Sequence, residues 1–272
     1  MKHYIKLYAV LIAKDFRRFA TYRTNIFAGI TSALFMLAAR YALWVTLFAT
    51  GNAGDVTLAE TMTFFVVGDV VMILTGGAGF TGTSLSEVIG ADNMSGDIAL
   101  KLSRPCSYHF QLVAGKHAGA IIQTLSHSLP IFIVAVIFIG ILPPSGAEAF
   151  VWFVVAAILG GVILTLIDLI LAYSVFWLTD FWYIAWYKRA LFMLFGGTFL
   201  PLWFYPDSLR AAADVLPFRF AMFVPMEVYL GRLYGREIFV ALGSAIFWIV
   251  VLFAVERLIW RRVQFKLVVQ GG

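Results

Sequence analysis

Charge is what this sequence most lacks. Asp, Glu, Lys and Arg make up 13% of its 272 residues, where a soluble domain of similar length carries about a quarter. That shortage argues against a soluble enzyme or a nucleic-acid-binding module, even though the formal net charge is +5. Cysteine is nearly absent too. With Cys106 alone, neither an intrachain disulfide nor a cysteine metal cluster is available. The first twenty residues hold Lys14, Asp15, Arg17 and Arg18 and no unbroken apolar stretch, so a cleaved signal peptide is not expected there. Short alternating apolar and polar segments, the mark of a transmembrane β-barrel, are also missing.

What is present is apolar length. Hydrophobic residues reach 62%, aromatic residues 17% and mean hydropathy +0.91. Several runs exceed the roughly 20 residues a helix needs to span the hydrocarbon core. Without water to satisfy backbone groups, continuous apolar runs must cross as helices. The fold class read from this is an all-α integral membrane protein with six transmembrane helices. The spans are placed at about 25–50, 59–85, 108–142, 148–178, 190–205 and 237–260. The fifth is short and contains Pro201, and the third is long enough to require tilt. Residues 1–24 form a separate amphipathic segment ahead of a single transmembrane domain, 25–272. In it Ile5, Tyr8, Ile12, Phe16 and Phe19 share one helical face, as in a helix lying in the membrane interface.

Basic residues set the orientation. With the N-terminus in the cytoplasm, Lys2, Lys6, Lys14, Arg17, Arg18, Arg23, Lys101, Arg104, Lys116, Lys188, Arg189, Arg257, Arg261, Arg262 and Lys266 fall on or near the cytoplasmic side. Only Arg210, Arg219, Arg232 and Arg236 fall outside. Positive residues accumulate inside, so both termini are expected in the cytoplasm of a bacterial inner membrane.

No nucleotide or catalytic site is legible. Gly115-Lys116-His117 resembles the end of a phosphate-binding loop, but Phe110 stands where its first glycine should be and no Ser or Thr follows the lysine. Gly82-Thr83-Ser84-Leu85 lacks the second glycine of a membrane serine protease, and His117 and His127 have no carboxylate at metal-ligand spacing. Neither catalytic nor metal-binding residues are expected on this chain.

The stretch between spans 2 and 3 combines mixed charge with scattered apolar residues. This suits a short cytoplasmic helix with a docking face, or else a plain solvated loop. Its sequence Gly96-Asp97-Ile98-Ala99-Leu100-Lys101-Leu102-Ser103-Arg104-Pro105 resembles an element of the permeases of type-2 ABC exporters. Tyr22-Arg23 is similar to the end of that family's N-terminal helix. Gly196-Gly197-Thr198-Phe199-Leu200-Pro201-Leu202, with Tyr205-Pro206 and Leu216-Pro217-Phe218, is similar to its signature near span 5.

The resemblance implies a permease subunit moving a substrate with ATP hydrolysed on a separate ATPase, the alternative being an ATP-independent transporter or channel. ATP and Mg would sit on that partner, and this chain would bind no cofactor. Two permeases, identical or homologous, would share ATPase subunits. The coupling helix would include Glu87, Asp92, Asn93, Gly96, Asp97, Leu100 and Arg104. The interfacial helix would contribute Lys14, Arg17, Arg18, Tyr22 and Arg23, and 206–236 would form a re-entrant outer hairpin.

Charges within spans are costly, about 2.5–3.5 kcal/mol each on insertion scales, and face a bundle interior or a cavity. Arg40, Asp69 and Asp168 therefore read either as part of a translocation or gating route or as structural salt bridges such as Arg40–Asp69. Arg40 could equally snorkel to the headgroups. Gln123, Ser126 and His127 occupy one turn of span 3, where they either bond between helices or meet a ligand.

Overall fold

In the computed structural model, residues 23–51, 55–76, 84–104, 106–178 and 182–270 are described. The described residues contain helices and turns and no strand. In chain order the helices are α1 (Arg23–Ala49), α2 (Leu58–Leu74), α3 (Leu85–Ser95), α4 (Asp97–Leu102), α5 (Tyr108–Phe138), α6 (Ala147–Tyr173), α7 (Trp182–Phe195), α8 (Asp207–Val215), α9 (Phe223–Tyr229) and α10 (Arg236–Gln270). Four are long and apolar enough to cross a membrane: α1, α5, α6 with its following 3-10 turn, and α10. α2 and α7 have 17 and 14 residues, or about 25 and 21 Å of rise.

Several limits differ from the sequence reading. α2 stops at Leu74, and residue 85 instead opens α3. The stretch after it is a pair of helices, so the solvated-loop alternative is excluded. α7 starts at Trp182 in what was expected to be a loop, and it ends at Phe195, where the glycines begin. α10 continues past the expected limit near 260 as helix to Gln270. The expected interfacial helix with Lys14, Arg17, Arg18 and Tyr22 lies outside the described residues; Arg23 is the first residue of α1.

α5 contains a π-helical turn at Thr124–Ser128, with Leu129 N–H donating to the Thr124 carbonyl. Pro130 explains it. Proline has no N–H, and its ring would meet the carbonyl four residues back; opening the register just ahead of it removes the conflict.

Interior contacts define two ends. At one, Leu85, Ile89, Ile98, Tyr108, Leu112, Tyr173, Phe176, Ile184, Trp260 and Val263 form a buried cluster under α3 and α4. At the other, α9 and the linker before it fold back onto α2 and α6, while α8 lies largely exposed. Phe220, Met222, Phe223, Val224 and Met226 are buried there, so this segment belongs to the bundle interior. The approach is close: a Cβ added to Gly160 of α6 would lie 2.0 Å from the Phe220 carbonyl oxygen. Only glycine fits at that contact.

The outward faces are apolar. Phe27, Phe35, Ile137, Phe138, Phe247 and Val250 are all exposed. Such a surface has a favourable environment only in lipid or against another apolar chain.

Candidate functional site

Three polar constellations interrupt the apolar interior, and the first is the elbow of α3 and α4. Ser84 caps α3 by a capping box. Its hydroxyl accepts from Glu87 N–H at 3.3 Å, and Glu87 Oε2 accepts from Ser84 N–H at 3.1 Å. Gly96, at φ +75°, ends α3 and starts α4. This left-handed conformation is easy for glycine and strained for other residues. The turn folds α4 back so that Lys101 Nζ reaches both oxygens of Asp92, at 2.5 and 2.7 Å. The Tyr108 hydroxyl donates to Asp92 Oδ2 at 3.0 Å, and Gln111 Nε2 donates to the Lys101 carbonyl at 2.8 Å.

Ile89 and Ile98 anchor the elbow from below. Its outward side carries Asn93, Met94, Asp97, Leu100, Leu102 and Arg104, all exposed; Arg104 donates to Gln111 Oε1 at 3.2 Å. The residues named from sequence are thus brought together but divided in function. Asp92 and Glu87 hold the elbow, whereas Asn93, Asp97, Leu100 and Arg104 present its surface.

Beside Tyr108 lies the second constellation. His109 Nε2 is 2.6 Å from Glu256 Oε1 of α10, and the Tyr173 hydroxyl of α6 donates to the same oxygen at 3.2 Å. Trp260 packs edge-on against His109 at 4.3 Å between ring centroids. Adjacent residues of α5 therefore tie the elbow to α10 and α6.

The third is Asp168. Lys188 Nζ of α7 lies 2.7 Å from Oδ1 and Lys116 Nζ of α5 lies 3.0 Å from Oδ2, with all three side chains almost fully buried. A single carboxylate here joins α5, α6 and α7. The sequence reading placed both lysines at cytoplasmic loop edges; they belong to the bundle interior. Arg40 and Asp69 do pair, at 2.9 Å, with the guanidinium 4.3 Å from the centre of the Phe65 ring. Asp168 takes no part in that pair.

His127 sits apart, where α5 meets α1. Its Nδ1 is 2.9 Å from Ser126 Oγ, and a Cβ on Gly29 would strike its ring. Gln123 lies one turn away, half-buried. Among the described residues, neither belongs to the three constellations above.

The pairing roles of Lys116, Lys188, His109 and Glu256 escaped the sequence reading. Glu256 did leave a signal, being an acidic residue inside the last apolar run.

Long helices with apolar outward faces, a buried polar framework and a helical elbow at one end of the bundle define a helical membrane protein. The family comparison agrees: the model for the ABC-2 family transporter protein matches residues 34–271, and the chain belongs to that family. It is accordingly a transport permease of the ABC-2 type. No curated protein matches the chain.

Proposed function

We propose that this chain is the permease subunit of an ATP-driven exporter and receives the ATPase stroke through the α3–α4 elbow. The observation that carries this reading is the elbow's two-sidedness. Its underside is fixed by Ile89, Ile98 and the Asp92–Lys101–Tyr108 cluster, while Met94, Leu100 and Leu102 stand exposed beside Asp97 and Arg104. Apolar residues rimmed by charge on a rigid mount suit a protein partner.

On this reading the bundle crosses the inner membrane six times, with α2 and α7 as its short crossings and 206–236 as a re-entrant hairpin. Both termini face the cytoplasm; moving Lys116 and Lys188 into the interior leaves the excess of basic residues on that side. ATP and Mg reside on separate ATPase subunits, and a second permease, identical or homologous, completes the route. This chain holds no nucleotide and no catalytic group of its own.

The test is retention of the ATPase. Tagged permease should retain its ATPase through purification, and Met94→Glu/Leu100→Glu should lower retention at least about tenfold, since buried apolar anchors dominate such interfaces. Unchanged retention by a variant that still inserts, or wild-type transport that persists after ATP depletion, would overturn the assignment.

A further inference from the structure

The four arginines placed on the outer side from sequence, Arg210, Arg219, Arg232 and Arg236, all line one cleft of about 480 Å³. The cleft lies between the α8–α9 segment and the first turns of α10. Positive residues are sparse on the side opposite the cytoplasm, so their convergence calls for a physical cause.

Local ion pairing accounts for only part of it. Arg219 pairs with Asp214, and Arg232 pairs with Glu60 at 3.1 Å while lying over the Trp203 ring. Even so, the Nε of each is buried with no acceptor. Such buried N–H groups are rare, but both are closed off, so a ligand in the cleft would meet the open arginines. Arg210 and Arg236 make no ion pair among the described residues.

The remaining acidic groups on the cleft do not supply those acceptors. Glu227 accepts from the Trp203 indole at 3.2 Å, and Glu237 lies in the first turn of α10, where the helix's own free N–H groups favour an acid. Apart from Ser244, the rest of the wall is apolar, with Phe220, Phe223, Leu233, Val240 and Ala241.

We propose that this cleft binds a phosphate-bearing anion. A phosphate offers several acceptor oxygens to the exposed, unpaired guanidinium groups of Arg210 and Arg236, in geometry that arginine matches well. The N-terminus of the 35-residue α10 adds further donors and a favourable dipole. Two sources present this chemistry at a membrane surface: the headgroup of an anionic phospholipid and free phosphate. Exposed Val240 and half-buried Leu233 give an acyl chain a surface to lie on and offer free phosphate nothing. The inference stands apart from the ATPase reading, because it concerns the opposite end of the bundle and needs no coupling.

Native mass spectrometry of the full-length permease in detergent tests it, with phosphatidylglycerol, phosphatidylcholine and inorganic phosphate as separate probes. Wild type should retain phosphatidylglycerol over phosphatidylcholine, and Arg210→Gln/Arg236→Gln should weaken that retention about tenfold, as expected for losing charge-assisted hydrogen bonds. Both arginines are exposed, so the substitutions leave the fold intact; an unchanged melting temperature checks this. Inorganic phosphate binding with the same dependence supports the site and identifies free phosphate as sufficient; lipid binding alone supports it and identifies the headgroup. Arg261→Gln/Arg262→Gln, an equal charge change on exposed residues near the far end of α10, serves as the control. Equal loss in that control, or equal retention of every probe by wild type and the cleft variant, overturns the proposal.

Discussion

Asp168 and Asp69 are both carboxylates on helices of the bundle, and each meets a basic side chain at hydrogen-bonding distance, yet they do different physical work. The Asp69 side chain is 50% exposed and its partner Arg40 23%. Asp168 is 4% exposed, with Lys116 at 5% and Lys188 at 11%. Taking ions out of water costs several kcal/mol each, recovered only when each has a well-placed partner. The one-to-one Arg40–Asp69 pair leaves neither charge uncompensated, and its open site keeps room for water or a headgroup beside it. Burial and stoichiometry, rather than distance, therefore separate the two. In the Asp168 cluster one carboxylate serves two ammonium groups, so the acid is indispensable and each lysine less so.

The largest effect follows directly. Asp168→Asn leaves two ammonium groups buried together and should cost about 3–5 kcal/mol, read as loss of monodisperse protein or a large drop in melting temperature in detergent. Lys116→Met leaves a one-to-one pair and should cost clearly less. Combining Asp168→Asn with Lys116→Met and Lys188→Met should recover most of the loss. Equal damage from Asp168→Asn and Lys116→Met would break the stoichiometric argument.

That asymmetry was not legible in the sequence. Asp168 stood out because a lone acid in an apolar run must be compensated, but its partners lie on two other helices and no local spacing connects them. Both lysines sit near the ends of apolar runs, where loop and interior placements look alike. Helix identity was easier to read, since apolar length alone demands a spanning helix; the ends were harder. α2 ends at Leu74, and nothing in the apolar run leading up to it marks that end. α7 begins among aromatic residues that suit a headgroup loop or a helix equally. The elbow was legible as a surface, because Gly96 and the mixed charge around it are local. The inward role of Asp92 was not, because it depends on a tyrosine and a lysine brought round by the turn.

The elbow sharpens the comparison at an intermediate level. Asp92 is buried like Asp168 but holds a single lysine and accepts one hydroxyl hydrogen bond. Asp92→Asn should cost about 1.5–3 kcal/mol, the range for hydrogen bonds to a charged group. Hydrogen exchange should show faster opening of 85–102 with the membrane helices still protected. Asp97→Asn, on the exposed side, should leave exchange unchanged. Gly96→Ala should cost about 1–2 kcal/mol, purely through backbone strain, because open space surrounds that position. The same exchange measurement separates it from Asp92→Asn: strain should loosen the α3–α4 junction while the Lys101–Asp92 pair persists.

The smallest effect belongs to the pair that was easiest to foresee. Arg40→Met/Asp69→Asn removes a one-to-one pair whole, leaving no charge uncompensated, and should change stability by about 1 kcal/mol or less. The single variants are more informative than the double. Arg40 also lies over Phe65, so Arg40→Met loses a cation–π contact, worth about 0.5–1 kcal/mol at an exposed site, that Asp69→Asn keeps. Melting temperatures should therefore rank Asp69→Asn above Arg40→Met, both within a few degrees of wild type. A collapse on the scale of Asp168→Asn would mean that Asp69 is buried in the assembled transporter, against another subunit, and that the contrast between the two acids holds only for the isolated chain.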